Sequence, residues 1–346
     1  MPQSPLIVIG ASAGGIPALQ KLCSQLPPDF PAPILIVQHL QADHPSLLPE
    51  ILGRSGPLPT RHPQHGEALQ SGVIYLAPPN HHLLVEPGYV AVTKGPKENR
   101  SRPSIDALFR SAAYLYGPQA IGVVLTGMLD DGSSGLYNIK RRGGIAIVQD
   151  PLDAEFDSMP RSALEAVDVD YVVPLIDLAP LLNGLVRNMH EGRETNVMND
   201  EELQRLEIEV GIAQQDSALK LGVTKLGVPS LLTCPECHGV LVQIKEGKTM
   251  RYRCHTGHAY TGNVLLSEVS KSVEDKAYQM LRAMEEEAIL LRTLGEQCKE
   301  AGQLDQAQAL FTKADEVLTT SESIRDLALG QERLSVEKVV QATADD

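Results

Sequence analysis

Residues 5–190 alternate two hydrophobic patterns. Short runs of consecutive apolar residues, such as PLIVIG (5–10) and AIGVVLTG (120–127), are typical of strands buried on both faces of a sheet. Between these runs apolar residues recur every three or four positions, as in GGIPALQKLCSQL (14–26), which indicates amphipathic helices. We therefore predict an α/β domain over residues 1–190, built on a doubly wound, mostly parallel sheet.

One segment of this domain departs from the pattern. HLLVEPGYVAVT (82–93) contains two alternating runs on either side of Pro87 and Gly88. A Pro-Gly pair between two such runs is a turn signal, so we predict one antiparallel β-hairpin.

The chain after residue 190 has a different character. Residues 191–230 are polar, acidic and weakly patterned, and they predict a linker with some helix. Residues 231–262 contain a cysteine cluster and form a small module of their own. Residues 264–301 and 304–330 show sustained helical periodicity around a short turn, so residues 263–346 predict a helical hairpin with a C-terminal tail.

Composition and charge limit the possible partners. The chain has 346 residues and a formal net charge of −14, so it offers no broad basic surface for nucleic acid or anionic lipid. It lacks both a signal-peptide pattern and an apolar run long enough to cross a bilayer. We expect a cytoplasmic protein with no nucleic-acid partner and no membrane insertion.

Three polar residues follow the ends of three predicted strands. Ser12 follows strand 5–10, His39 ends strand 32–39, and Asp131 lies just after strand 120–127. Ligands of parallel sheets meet the carboxyl ends of the strands, so these side chains share one rim. A serine, an imidazole and a carboxylate are the groups of base-activated nucleophilic catalysis. Each has an ordinary alternative: a helix cap for Ser12, a sheet-edge histidine for His39 and a turn residue for Asp131.

The glycines around Ser12 also suggest a phosphate-binding loop. A dinucleotide fingerprint needs G-x-G-x-x-G and a later acidic residue, but this turn has Gly10, Gly14 and Gly15, and the next strand ends in His39. No Gly-Lys-Ser/Thr follows either, so the turn favours a nucleophile over a phosphate site.

The cysteine cluster predicts a metal site. CPEC (234–237) and RYRCHTGH (251–258) flank a segment that alternates like a β-hairpin, which is the pattern of a zinc ribbon. A redox-active C-x-x-C pair is the alternative, although the thioredoxin-like context is missing. His255 and His238 are weaker candidate ligands. Four protein ligands complete the coordination of a structural Zn²⁺ and leave no open position for catalysis. We therefore expect catalysis to use no cofactor. The predicted ligands are Cys234, Cys237, Cys254 and His258.

Five motifs follow one another in the first domain: IGASAGG (9–15), VQHL (37–40), RPSID (102–106), TGMLDDG (126–132) and MPRSA (159–163). Together they resemble the catalytic domain of CheB, the chemotaxis protein-glutamate methylesterase family. The resemblance implies that Ser12 is the nucleophile, His39 the base and Asp131, rather than Asp130, the acid. It implies an oxyanion site near Met128.

The same resemblance implies a substrate and partners. Members of the family hydrolyse γ-glutamyl methyl esters on the cytoplasmic helices of chemoreceptors and release methanol, and many also deamidate receptor glutamines. The implied partner is a methylated chemoreceptor, and a receptor methyltransferase is a second candidate. Further candidates for the oxyanion and substrate site are Ala13, Arg102, Arg161 and Arg142.

Three departures from the family pattern affect these expectations. Ala13 replaces the usual threonine after the nucleophile, and Leu129 replaces a glycine in the acid loop. The receiver domain that normally precedes and inhibits the catalytic domain is expected to be absent, so residues 191–346 are the candidate for part of that regulation. Two other functions also fit: a non-catalytic module that docks on receptors or recruits the methyltransferase, and an esterase for small substrates.

Overall fold

A seven-stranded sheet forms the centre of the N-terminal region in the computed structural model, which describes residues 4–40, 45–189, 198–330 and 334. Every pair of neighbouring strands is parallel, in the order β3-β4-β2-β1-β7-β8-β9, which confirms the predicted α/β class. The strands are β1 (Leu6–Ala11), β2 (Ile34–Gln38), β3 (Thr60–Arg61), β4 (Ile74–Leu76), β7 (Ala120–Val124), β8 (Ile145–Gln149) and β9 (Tyr171–Val173).

The predicted antiparallel hairpin is present but is not paired with the central sheet. It consists of β5 (His82–Glu86) and β6 (Tyr89–Thr93), which form a two-stranded sheet of their own, and Tyr89 of β6 also bridges to Ala68. Its buried Leu83 and Val85 join the core on one face of the central sheet. The hairpin therefore adds to the packing layer rather than widening the sheet.

Helices cover both faces of the sheet, as expected for strands without a polar face. Leu6 and Val8 of β1 face one apolar cluster, whereas Ile7 and Ile9 face the other. The first cluster includes buried side chains of α3, α4 and α5, and the second includes those of α1, α2 and α6. The six helices are α1 (Gly15–Gln25), α2 (Leu48–Gly53), α3 (Ile105–Tyr116), α4 (Ser133–Arg141), α5 (Ser158–Ala166) and α6 (Leu175–Asn188).

The segment expected to be a linker has more structure than its pattern indicates. Helix α7 (Asp200–Ala213) begins with a capping box made by Asn199 and Glu202. Its Leu206 and Val210 are buried in the same apolar cluster as α3, so α7 packs as part of the α/β domain. A short α8 (Ala218–Leu221) follows. Residues 191–197 of the expected linker lie outside the described part of the chain.

A four-stranded antiparallel sheet follows α8. It is formed in order by β10 (Val228–Thr233), β11 (Val240–Glu246), β12 (Thr249–Cys254) and β13 (Ala259–Thr261), and we call it the β10–β13 module. Its β11–β12 hairpin turns at Gly247, with φ of +58°, at the position that the alternating sequence predicts. The module belongs to the same compact unit as the central sheet, Met1–Val264.

The second compact unit, Leu265–Asp346, contains the predicted helical hairpin. Helix α9 (Gly262–Glu300) starts in the first unit, and α10 (Leu304–Gly330) runs back along it. Ala288 contacts Ala314 and Val317 across the hairpin in a small apolar cluster. Of the expected tail, residues 331–333 and 335–346 lie outside the description. None of the helices described is both long and apolar enough to span a bilayer.

Candidate active site

Ser12 lies directly after the central strand β1, where strand order changes direction between β1 and β7. Its backbone N–H donates to the Thr126 carbonyl at 3.0 Å, and its carbonyl accepts from Gln38 Nε2 at 2.8 Å. A Cβ on Gly127 would lie 2.8 Å from the Cβ of Ser12 and 2.1 Å from the sulfur of Met159. Only glycine fits at 127, so the chain closes tightly around the serine.

The structure brings Ser12, His39 and Asp131 together. His39 Nδ1 lies 3.2 Å from Ser12 Oγ, and His39 Nε2 lies 2.8 Å from Asp131 Oδ2. An ionised carboxylate can only accept a hydrogen bond, so Nε2 carries the proton and Nδ1 is left to accept the serine hydroxyl proton. The His39 side chain is 20% exposed and that of Asp131 only 4% exposed. The hydrogen-bonded series of three residues is therefore more open to solvent on its Ser12 side than on its Asp131 side.

The Asp131 carboxylate caps the N-terminus of α3. It accepts from the backbone N–H groups of Ile105 (2.8 Å) and Asp106 (3.2 Å), from Ser104 Oγ (3.0 Å) and from Asn99 Nδ2 (3.2 Å). Burial alone would raise the pKa of Asp131, but the hydrogen bonds from His39, Ile105 and Asn99 hold it below its usual range. Asp131 is therefore ionised and fixed in orientation.

Two neighbouring carboxyls behave in the opposite way. Asp106 accepts from the N–H groups of Gly132 and Gly135, and burial together with the charge of Asp131 raises its pKa. Burial also raises the pKa of Asp130 to about 6, and its Oδ1 accepts from Thr261 Oγ1 at 2.8 Å. Asp131, and not Asp130, is thus the carboxylate against the histidine.

A second cluster lies in the β10–β13 module. The ligand atoms of Cys234, Cys237, Cys254 and His258 all lie within 4.8 Å of one another. The sulfurs of Cys237 and Cys254 are 3.6 Å apart, and His258 Nδ1 is 3.7 Å from the sulfurs of Cys234 and Cys254. Tetrahedral Zn²⁺ with bonds of about 2.3 Å separates its sulfur ligands by about 3.8 Å, so these four residues fit such an ion.

Groups around the cluster orient its members. Thr256 Oγ1 lies 2.9 Å from Cys254 Sγ, and Tyr260 Oη lies 3.3 Å from Cys234 Sγ. Glu236 lies 3.5 Å from Nε2 of His258, which leaves Nδ1 toward the sulfurs. Such partners hold metal ligands in place. The two weaker candidates, His238 and His255, are not members of the cluster.

The α/β part of the chain matches known proteins. The model of the CheB methylesterase family matches residues 7–182, slightly more than half of the chain, and this span contains Ser12, His39 and Asp131. The chain belongs to the CheB methylesterase family. It is accordingly an enzyme of the carboxylic ester hydrolase class, and the matched span stops before the β10–β13 module.

Individual CheB relatives agree. A protein of Leptospira interrogans, provisionally named protein-glutamate methylesterase/protein-glutamine glutaminase, is 46% identical over 188 residues, 54% of this chain and 97% of its own. An Anaeromyxobacter dehalogenans enzyme of that name is 40% identical over 182 residues, about half of each chain. The crystal structure of the Thermotoga maritima CheB methylesterase catalytic domain is 34% identical, with a TM-score of 0.51, and covers 53% of this chain and 99% of that one.

The loop between β7 and Asp131 accommodates this chain's departure from the CheB pattern. Leu129, where the family pattern has glycine, adopts φ of +65°, a left-handed conformation that glycine adopts without strain. Met128 and Leu129 are exposed. Among the described residues, no acceptor pairs with the backbone N–H of Met128 or of Ala13.

The arginines expected to bind substrate differ in their surroundings. Arg102 directs its guanidinium to Asn80 Oδ1 (3.0 and 2.7 Å) and to the Gly95 carbonyl (2.9 Å). Arg161, on α5, is exposed and bonded to Asp157. Arg142 is buried at the C-terminal end of α4, so it lies at the opposite edge of the sheet, and its assignment to the substrate site was wrong.

Arg102 also borders a cleft beside His39. The cleft has a volume of about 190 Å³ and opens next to the imidazole, so it is available to part of a substrate. Its lining residues are His39, Leu40, Asn80, Lys97, Arg100, Ser101, Arg102 and Pro103.

Several residues that shape the site were not predicted from sequence. Gln38 Nε2 holds the Ser12 carbonyl, and Gln149 Oε1 accepts from the Thr126 N–H at 2.9 Å. Both glutamines end buried apolar strands, so a polar residue at that position was the available signal. Asn99 donates to Asp131 from a loop in which nothing local marks it.

Proposed function

We propose that this CheB-family chain is a protein-glutamate methylesterase that hydrolyses γ-glutamyl methyl esters on the cytoplasmic helices of chemoreceptors. The observation that carries the proposal is the hydrogen-bonded series Ser12 Oγ, His39 Nδ1, His39 Nε2 and Asp131 Oδ2 at the carboxyl edge of the sheet. The names of the relatives support the substrate class. The reaction takes place in the cytoplasm, where these receptor helices lie.

Acylation starts at Ser12. Its hydroxyl proton passes to His39 Nδ1 while Oγ attacks the ester carbonyl carbon, and Asp131 stabilises the imidazolium through Nε2–H. When the tetrahedral intermediate collapses, the carbon–oxygen bond to the methoxy group breaks. Methanol leaves with the proton from His39, and the glutamyl side chain remains as an ester on Ser12.

Water completes the cycle by the reverse path. His39 takes a proton from water, the hydroxyl oxygen attacks the acyl carbon, and Ser12 leaves with that proton, which frees a γ-carboxylate. The free N–H groups of Ala13 and Met128 are the candidate donors to the oxyanion of both intermediates. With a glutamine side chain the same steps release ammonia, in agreement with the glutaminase part of the relatives' names.

The test is methanol release from receptor membranes carrying methyl-labelled glutamates. The wild-type chain should release methanol and Ser12→Ala should release none. Ser24→Ala, which alters an exposed serine on the neighbouring α1, should behave like wild type. Equal receptor binding without release by the wild type would favour a docking module, with the methyltransferase as its candidate partner. Turnover of small esters alone would favour an esterase for other substrates.

We also propose that Cys234, Cys237, Cys254 and His258 hold structural Zn²⁺. Three sulfurs and one imidazole nitrogen at tetrahedral separations are the ligand set that zinc prefers. Atomic spectroscopy of the purified chain should find one zinc per molecule, and Cys237→Ser should lower that value. Cys298→Ser, on α9, is the matched control and should keep the full content.

A further inference from the structure

Asn99 links the β10–β13 module to the catalytic carboxylate. The Asn99 side chain donates from Nδ2 to Asp131 Oδ1 and to Asp106 Oδ2, both at 3.2 Å. Its Oδ1 accepts from the backbone N–H of Thr261 at 2.9 Å, and its backbone N–H donates to the carbonyl of Ala259 at 2.8 Å. A single amide therefore bridges the last strand of the module and the catalytic acid.

The loop of residues 98–101 is a tight turn in which Glu98 and Ser101 exchange two backbone hydrogen bonds. Asn99 and Arg100 have φ values of +48° and +64°, a region that side-chain-bearing residues seldom occupy and that asparagine tolerates best. The segment before Asn99 pairs with the module, because Glu98 forms a parallel bridge with Ala259. Strand β13 thus contacts this turn directly and holds the Asn99 side chain in its place beside Asp131.

A buried ion cluster fixes the same loop from its other side. Glu98 accepts from Arg253 Nη2 at 2.8 Å and is also bonded to Arg110 of α3. Arg253 bonds Glu209 of α7 at 3.0 Å, and Arg251 bonds the same carboxylate at 2.8 Å. All five side chains are at most 5% exposed, so water competes little for their hydrogen bonds and ion pairs.

The residues that hold the loop are next to the predicted metal ligands. Arg253 directly precedes Cys254, and Thr261 follows His258 by three positions. Tyr260, between the two contacts of β13 with Asn99, has its hydroxyl 3.3 Å from Cys234 Sγ. A bound ion that fixes these ligands also fixes the strand that presents the Thr261 N–H to Asn99.

We propose that Asn99 is a positioning residue for the catalytic carboxylate and that the metal-loaded β10–β13 module keeps it in place. The ion itself neither touches substrate nor takes part in the reaction. The rate of ester hydrolysis nevertheless depends on it, because Asp131 Oδ1 loses one of the hydrogen bonds that orient it when Asn99 moves. This inference rests on the proposed function of Asp131 and adds a module that the matched CheB span does not include.

The first test substitutes Asn99. Asn99→Gly keeps the left-handed backbone available and removes the amide, and we expect kcat to fall about ten- to hundredfold while KM stays the same, as for a misplaced catalytic group. The matched control is Gln215→Gly, another residue with positive φ, which has no contact with Asp131 and should leave both constants unchanged. Asn99→Gly should retain its zinc.

Asn99→Asp adds a pH signature. The new carboxyl would face the charged carboxylate of Asp131, which favours its protonated form, and only that form can donate to Asp131. The rate of this variant relative to wild type should therefore rise as the pH falls. A loop that merely supports the fold would give a ratio that does not change with pH.

The second test removes the metal. Zinc content, methanol release and the rate at which a fluorophosphonate probe labels Ser12 are measured for Cys237→Ser and for the Cys298→Ser control. We expect zinc content and labelling rate to fall together in the first variant only, with labelling about tenfold slower or more. If Cys237→Ser does not fold, the same three quantities are measured for the wild-type chain before and after a chelator removes its zinc.

Two results would overturn the inference. One is wild-type kcat in Asn99→Gly, and the other is wild-type labelling of Ser12 in folded, zinc-free Cys237→Ser. Both leave the proposed function standing if wild type releases methanol and Ser12→Ala does not. Failure of the proposed function is distinct, because the wild-type chain would then release no methanol.

Discussion

Two histidines of this molecule, His39 and His258, each have a carboxylate on one side. They differ in the groups on the other side. His39 lies between a serine hydroxyl and the Asp131 carboxylate, and His258 lies between cysteine sulfurs and the Glu236 carboxylate. The carboxylate distance is 2.8 Å at His39 but 3.5 Å at His258. His39 faces one nucleophile with an open side, whereas three sulfurs converge with His258. Each site contains a histidine, so the histidine does not distinguish them. The number of other donor atoms that converge on it distinguishes the candidate catalytic site from the candidate metal site.

The largest expected effect is on kcat, and it follows from replacing Asp131, the carboxylate bonded to His39. Asp131→Asn keeps the shape but presents an N–H group to His39, which favours the wrong tautomer, and kcat should fall about 10⁴-fold. Methanol release at saturating substrate measures it. The neighbouring Asp130→Asn is the control, and a comparable loss there would mean that the histidine was paired with the wrong acid.

The free energy of unfolding should be most sensitive to loss of a charge where α7 packs against the β10–β13 module. Glu209→Gln leaves Arg251 and Arg253 without their buried carboxylate, and the free energy of unfolding should fall by about 3–5 kcal/mol at pH 7. Burial would raise the pKa of Glu209, but the three surrounding arginines lower it below its usual value.

The sign of the pH dependence at Glu209 follows from that lowered pKa. Its contribution to stability is present above the unfolded pKa of about 4.3 and is lost progressively as the pH falls from there through the lower, folded-state pKa. Denaturant titrations at pH 7 and pH 3 should therefore show a deficit in Glu209→Gln that shrinks in acid. An equal deficit at both values would show that the network is not held by charge.

Asp130 should show the opposite sign. Burial raises its pKa to about 6, so its ionised form is unfavourable in the folded chain, and this cost appears as the pH rises from about 4 through 6. Asp130→Asn keeps an acceptor for Thr261 and should stabilise the protein at pH 8 by at most about 3 kcal/mol. The gain should vanish at pH 4. Thermal unfolding at both pH values checks it.

The smallest effect is expected from replacing Glu236, the carboxylate beside His258. Glu236→Gln weakens a long contact to a metal ligand, so zinc affinity should fall about tenfold, measured by competition with a chelator. The kcat of the zinc-saturated variant should match wild type. A large drop in kcat would mean that His258 and His39 are not separate in function.

The sequence predicted features that depend on local pattern. The apolar runs gave the strands, and the carboxyl edge of a parallel sheet explains why Ser12, His39 and Asp131 could be placed together from positions far apart. The spacing of Cys234, Cys237, Cys254 and His258 gave the second cluster, because its ligands come from two short turns. Both predictions concern contacts that strand order or spacing alone fixes.

Other features depend on contacts that no local pattern carries. Helix α7 was expected within a linker because its apolar side, Leu206 and Val210, is narrow and its buried Glu209 is charged. Its place in the core depends on arginines of β12, which cannot be paired with it from sequence. Asn99 was missed for the same reason, since its partners lie 32 and 162 positions away.

The hydrogen bond between Asn99 and Thr261 also has a consequence for the order in which the protein is made. A ribosome has added Ser12, His39 and Asp131 long before it reaches the strand that completes the hydrogen bonds of Asn99. At about 5–20 residues per second, the chain needs about 7 to 26 more seconds to reach Thr261 after it has passed Asp131. During that interval the nascent chain holds all three residues of the proposed triad without the last hydrogen-bond support of the proposed acid, Asp131.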